Sequence, residues 1–257
     1  MTALTARGLP GLPEVRPGGD LAALIATALA GQRLRDGQVL AIAHKAVSKS
    51  EGAVVALKDV QPSTRAHELA AAAAAGASGE RDPRAIQVVL DESQELLRAE
   101  RGVLICRTRH GFVCANAGVD GSNAGEPNTL ILLPRDPDAS ARRIRAGLRE
   151  LTGASVGVLV TDSFGRAWRH GQLDVAIGIA GMRPLDDWRG RTDSIGLKLK
   201  ATWLAVADAA AACADLARAK DSREPVVVLD GLERYVTDED GPGAVELLRA
   251  LEEDLFR

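Results

Sequence analysis

Residues 103–115 read Val-Leu-Ile-Cys-Arg-Thr-Arg-His-Gly-Phe-Val-Cys-Ala: two apolar runs, Val103 to Arg107 and Phe112 to Ala115, joined by a short polar stretch containing glycine. A parallel pair needs a crossover of about a dozen residues or more, which this connection cannot supply, so the two runs are expected to form an antiparallel hairpin. A third strand, Thr129 to Leu133, follows closely. The expected fold class is therefore α+β, with mixed, largely antiparallel sheets and flanking helices, rather than a doubly wound parallel sheet.

Upstream of this hairpin, Asp20 is placed to cap a helix over Leu21 to Leu29, and Gln38 to Ala43 reads as a strand. The polar segment from His44 to Gly52 then reads as a loop carrying Lys49, before a strand-like pattern resumes over Ala53 to Leu57. An alanine-rich helix opens at Ser63, behind Pro62, and runs to Gly76; a second starts at Asp82-Pro83 and places Ile86, Val89, Leu90, Leu96 and Leu97 on one face. Downstream, a helix from about Ser140 presents Ile144, Leu148 and Leu151 at helical spacing and leads into the most strand-like run of the chain, Val156 to Val160. A strand around Val175 to Ala180, an irregular stretch through Trp188 and Gly196, a helix from Thr202 to about Arg218, a strand over Val226 to Leu229 and a helix from Gly243 to Phe256 complete the reading.

The 257 residues suffice for one large domain or two intimately packed smaller ones. A net charge of −3 with Lys and Arg scattered among acids excludes a generic nucleic-acid binder, which needs a clustered basic face. Cys106, Cys114 and Cys213 are odd in number and lie in apolar surroundings, so they read as buried thiols and not as a disulfide framework or a zinc site. Leu4, Leu9, Pro10 and Pro13 do not make a secretory apolar run, and no later segment reads as a membrane span, so the expected location is the cytoplasm.

Three constellations stand out. In residues 156–169 an apolar strand delivers Thr161, Asp162 and Ser163, followed by Gly165, Arg166 and Arg169. Such oxygens suit Mg2+ or Mn2+, and such guanidinium groups suit phosphate or carboxylate. The plainer alternative is that Asp162 and Ser163 cap the next element while the arginines make surface ion pairs. In 116–123, two glycines permit a tight path around Asp120 and Asn123, which is either a ligand loop or simply a turn. In 48–52, Lys49 is either a phosphate-neutralising cation or a solvated lysine. Neither a Walker A sequence nor a dinucleotide-binding glycine fingerprint is present. His110, His67 and His170 do not form a ligand cluster with each other and read as structural or exposed.

Taken in order, Gly11-Leu-Pro-Glu-Val15, Pro17-Gly-Gly-Asp20, Asp36-Gly37, Val47-Ser-Lys-Ser-Glu-Gly52, Thr108-Arg-His-Gly-Phe-Val-Cys-Ala-Asn-Ala-Gly-Val-Asp120, Asp136-Pro-Asp-Ala-Ser-Ala141, Thr161-Asp-Ser-Phe-Gly-Arg166, Ala176-Ile-Gly-Ile-Ala-Gly181 and Pro225-Val-Val-Val-Leu229 resemble the coenzyme F420:L-glutamate ligase family, also called F420-0:γ-glutamyl ligase or CofE. The resemblance implies one CofE-like ligase domain over 1–257, built as two closely packed subdomains, without the nitroreductase-like domain that follows in some members. It implies a cytoplasmic homodimer that uses GTP to join L-glutamate to coenzyme F420-0, with further γ-linked glutamates as an extension. The route implied is an acyl phosphate on the acceptor.

By matching position, Asp120, Asp162 and Ser163 are the expected ligands of Mg2+ or Mn2+, with K+ as a candidate further ion. Leu12, Pro13, Glu14, Val15, His44, Lys45, Lys49 and Asn123 are the expected nucleotide contacts, joined by the loop from Lys220 to Pro225. Arg166 or Arg169 is a candidate for orienting an acidic substrate, and no residue claims the role of general base. The chain departs from the family pattern at Ser163, in place of threonine, at Ala167, in place of proline, at Ala209, in place of an acid, and at His44, where another polar side chain is usual. Two alternatives stay open: a related ligase acting on a different phosphorylated acid, and a GTP-binding module without catalysis.

Overall fold

A computed structural model describes residues 3–75, 81–219 and 221–254. In chain order the elements are β1 (Thr5–Gly8), α1 (Leu21–Ala28), β2 (Val39–Ala43), α2 (His44–Ser50), β3 (Val54–Ala56), α3 (Thr64–Ala75), α4 (Pro83–Asp91), β4 (Ser93–Glu100), β5 (Val103–Thr108), β6 (Val113–Ala115), β7 (Thr129–Ile131), α5 (Pro137–Thr152), β8 (Gly157–Arg166), β9 (Arg169–Ala180), β10 (Leu185–Asp187), β11 (Trp203–Ala205), α6 (Val206–Ala217) and β12 (Val226–Asp230). The fold is α+β, and the expected 103–115 hairpin is present as β5 and β6, in register at Cys106 and Cys114.

The largest sheet has the order β1-β12-β2-β8-β9, antiparallel except where β2 runs parallel to β8. Its central strands are apolar on both faces because helices cover both. Gly178 of β9 faces α5, where an added Cβ would sit 2.3 Å from the Pro137 carbonyl, so only glycine lets the helix start so close to the strand. Further along the hairpin, Asp174 faces Arg218 just beyond α6. A bulge between these positions shifts the register of β8 against β9, and Asp208 of α6 accepts the Ala176 N–H beside it at 2.9 Å. The second sheet, β4-β5-β6, has a separate, smaller apolar cluster of Ala66, Leu69, Ile86, Val89, Leu104, Cys106 and Ala117. The main core runs from Leu9 to Ala244.

Several expectations need correction. The segment carrying Lys49 is not a loop: residues 44–50 form α2, with no side-chain cap at Ala43 to announce it, held by burial of Ala46, Val47 and Ser48. The helix from Asp82 ends at Asp91, and Leu96 and Leu97 belong to β4, whose two register irregularities against β5 blur the alternation that marks a strand. The helix from about Ser140 starts earlier, at Pro137 behind its Asp136 cap, and Leu151 is exposed. The strand at Val156 to Val160 continues to Arg166, so Asp162, Ser163 and Gly165 lie within a hairpin arm. Thr202 precedes a short strand, and α6 begins at Val206.

The C-terminal helix is instead two single 3-10 turns, Ala244–Leu247 and Leu251–Glu253, with Val245 and Leu251 exposed. Phe256, Gly76 and Lys220 lie outside the described residues. Among the described residues no helix is long and apolar enough to cross a membrane.

Candidate functional site

The site forms where β2 ends. Ala43 pairs with Thr161 across the parallel β2–β8 ladder, so the next residue of one strand's chain, His44, meets the next of the other, Asp162. His44 Nε2 lies 3.3 Å from Asp162 Oδ1. The adjacent residue, Lys45, reaches away from β8 and places Nζ 2.5 Å from Asp120 Oδ2 and 2.5 Å from Ser122 Oγ. Two carboxylates from segments 42 residues apart thus flank one dipeptide at the start of α2.

Asp120 is fixed at both levels. Its backbone forms a two-way bridge with buried Ile131, Asp120 N to Ile131 O at 3.1 Å and Ile131 N to Asp120 O at 2.8 Å. Its Oδ1 accepts the Ser122 N–H at 2.7 Å and its Oδ2 the Ser122 hydroxyl at 2.9 Å. Burial pushes the Asp120 carboxyl up, but the Lys45 hydrogen bond and the Ser122 N–H outweigh it and hold the group below the ordinary carboxylate range. Asp162 is less exposed, and its charge also faces Cys114 on β6; burial first, then Asp162 and Cys106, push that thiol up to about 12.

Ser163 is not brought to the same place. Neighbouring residues of a strand point to opposite faces, and Ser163 Oγ donates to Asp174 Oδ1 at 2.7 Å, opposite it on β9. Asp174 is 2% exposed, accepts Thr161 Oγ1 at 2.8 Å, and is ion-paired with Arg218 at 3.1 Å. Burial lowers the Arg218 pKa, against the pull of Asp174 and Asp215. This buried network, a strong determinant of how Ser163 and its strand are held, went unread in the sequence; Asp174 and Arg218 lie 44 residues apart in unrelated motifs.

Of the expected nucleotide contacts, Leu12, Pro13, Glu14 and Val15 form the loop after β1, with Val15 buried and Glu14 paired to Lys49 of α2 at 2.5 Å. Asn123 is exposed three residues beyond Asp120, in a left-handed conformation with φ 56°. His44 is buried beneath Asp162, whereas Lys45 and Lys49 are partly open. Arg166 and Arg169 sit at the exposed tip of the β8–β9 hairpin, flanking Trp168. Ala209 is exposed on α6, so its missing charge is a surface one, while Asp208 beside it is spent on the bulge. His110 serves structure, its Nε2 being 3.0 Å from the Pro134 carbonyl oxygen.

Two broad surface clefts, of about 780 and 890 Å3, adjoin Asp36 and share no residue with this constellation. Among the described residues no three His, Cys, Asp or Glu side chains form a ready metal cluster. Asp120 and Asp162 each offer the carboxylate oxygens that a hard divalent cation takes, the first against Lys45 and the second against His44.

Comparison with known proteins gives the chain its class. Over 246 residues the chain is 44% identical to a protein of Methanopyrus kandleri named Coenzyme F420:L-glutamate ligase, covering 95% of this chain and 94% of the relative. Proteins of the same name in Methanothermobacter thermautotrophicus, 40% identical over 97% of each chain, and in Halobacterium salinarum, 43% identical over 96% of this chain and 93% of theirs, agree. The protein is a ligase. The family described as F420-0:Gamma-glutamyl ligase matches residues 11–231, and the chain belongs to it.

Proposed function

We propose that this ligase acts as a homodimer in the cytoplasm and joins L-glutamate to coenzyme F420-0 at the expense of GTP, with Mg2+ or Mn2+ and, as a further ion, K+. The observation that supports this reading is the His44-Lys45 dipeptide, one residue of which contacts Asp162 and the next Asp120. A carboxylate is too poor an electrophile to accept an amine directly. Transfer of the γ-phosphoryl group of GTP to the acceptor carboxylate gives an acyl phosphate and GDP. Attack by the neutral glutamate amine on the acyl carbon forms the amide and expels phosphate.

Asp120 and Asp162 would hold the divalent cation, which when bound neutralises triphosphate oxygens. Lys45 and Lys49 add positive charge on the same side, and each now rests against a carboxylate that phosphate can replace as its partner. The loop 12–15, tethered to Lys49 through Glu14, is suited to follow the nucleotide. Position, more than acid–base chemistry, carries the rate: the residues hold donor and acceptor in line and limit access of water to the acyl phosphate.

The test is an incubation of the purified chain with GTP, L-glutamate, coenzyme F420-0 and MgCl2 or MnCl2, read by mass spectrometry. Carboxylate 18O in the acceptor should appear in released phosphate. Absence of the glutamyl product, with an active relative run alongside, sinks the reading.

A further inference from the structure

The far end of the β8–β9 hairpin carries an inference that rests on the ligase reading above. Alternation along β8 puts Asp162, Phe164 and Arg166 on one face. Val175 and Leu173 of β9 lie opposite the first two, so a partly open apolar strip leads from a carboxylate to a guanidinium group. Phe164 is steadied there by an edge contact with Phe112, ring centroids 6.3 Å apart. From Asp162 to Arg166 the strand advances roughly 13 Å. Trp168, in the turn beyond, is 81% exposed and has φ 57°, a left-handed conformation that glycine adopts without strain and a bulky side chain does not. Burial does not offset that cost, and strain of this kind concentrates where ligands are held. Arg166 donates to the His170 carbonyl oxygen at 2.6 Å, and neither it nor Arg169 has a carboxylate partner among the described residues.

An exposed indole between two guanidinium groups suits a planar ring that carries a phosphate. Coenzyme F420-0 has a carboxylate at one end, a phosphodiester beside it and a deazaflavin ring at the other end. Asp162, Arg166 and Trp168 follow each other along the hairpin in the matching order. We propose that Trp168 is a positioning residue for the acceptor: its indole stacks on the deazaflavin ring while Arg166 meets the phosphodiester. The hairpin tip then sets acceptor specificity, because a phosphorylated acid without the ring gains nothing from Trp168.

The full chain is assayed with GTP, MgCl2, L-glutamate and varied coenzyme F420-0, and the deazaflavin fluorescence is titrated separately with protein. Trp168→Gly should raise the KM for the acceptor at least ~10-fold, the scale of one lost aromatic stack. The same variant should leave kcat and the KM values for GTP and L-glutamate within about twofold. Urea denaturation should show it no less stable than wild type, since glycine suits the turn. Trp168→Phe keeps a ring and should restore most of the acceptor KM. An unchanged acceptor KM, an equal rise for GTP, or a phenylalanine variant as impaired as the glycine one overturns the inference and leaves the ligase reading standing. A change of sedimentation in Trp168→Gly assigns the tip to an interface between copies and overturns it too. If wild type makes no product but alters deazaflavin fluorescence in a way that Trp168→Gly abolishes, the inference stands and the ligase reading falls. With neither product nor fluorescence change, both fall.

Discussion

Asp174→Asn keeps the side-chain volume and removes the charge on which Thr161, Ser163 and Arg218 converge. Both members of the ion pair are buried, at 2% and 10% side-chain exposure. Removing one partner of such a pair leaves the other charge unsatisfied in a poorly solvating interior, which typically costs about 3–5 kcal/mol. Asp215 still faces Arg218 and relieves part of that, so the lower end, ~3 kcal/mol, is expected. Against a total of roughly 5–15 kcal/mol for a domain, the loss is large enough to read from urea denaturation at pH 7. Removing the stranded charge as well, in Asp174→Asn with Arg218→Met, should recover on the order of 2 kcal/mol of it, because a buried pair is replaceable by packing while a lone buried charge is not. A single variant that costs under about 1 kcal/mol, or a double variant as damaging as the sum of its parts, refutes the argument.

Asp120→Asn and Asp162→Asn should each lower kcat/KM more than ~100-fold with unchanged circular dichroism; retention of a tenth of the activity in either would remove that residue from the site. Lys49→Met should raise the KM for GTP about 10-fold while moving stability by less than ~1 kcal/mol, since Glu14, its partner, is mostly exposed. The Asp120 carboxyl, held below its ordinary range in the folded chain, contributes stability that is present above the unfolded carboxylate pKa and lost as pH falls through the folded one. Acid titration should therefore show a shallower loss of stability in Asp120→Asn below about pH 4, and identical curves would contradict the assignment. With its thiol pushed up to about 12, Cys114 should react with a disulfide reagent at pH 8 only after denaturation, while the partly exposed Cys213 reacts in the native state.

What could be read from the chain alone divides along physical lines. Two helices with chemical end-signals were legible, Asp20 and Asp82 each accepting a backbone N–H of the first turn, whereas the Asp136 cap of α5 went unread and its start was placed near Ser140. Elements made by tertiary contact were not. The α2 segment has a bare alanine at its cap and mixed residue types, and it is helical because Ala46, Val47 and Ser48 fit beneath their neighbours. β1, at one edge of the large sheet, alternates too weakly over four residues to announce itself, and its pairing with β12 spans nearly the whole chain.

The same division runs through the site. Asp120 and Asp162 stood out as a carboxylate in a glycine-rich loop and one at the end of an apolar strand, but their assignment to a metal came from the family resemblance. Ser163 was read beside Asp162 at a strand end after Val160 and as a metal ligand on the family resemblance; the hairpin instead runs on to Arg166, and the Ser163 hydroxyl meets Asp174. Asp174 looked unremarkable because its value lies in register: only the pairing of β8 with β9 sets it opposite Ser163, and only α6 brings Arg218 over both. The consequence for catalysis is that the two faces of β8 answer to different demands. One turns Asp162 to His44, while the other locks the strand with a buried ion pair, so damage to Asp174 should lower stability first and activity only through the position of the strand that carries Asp162.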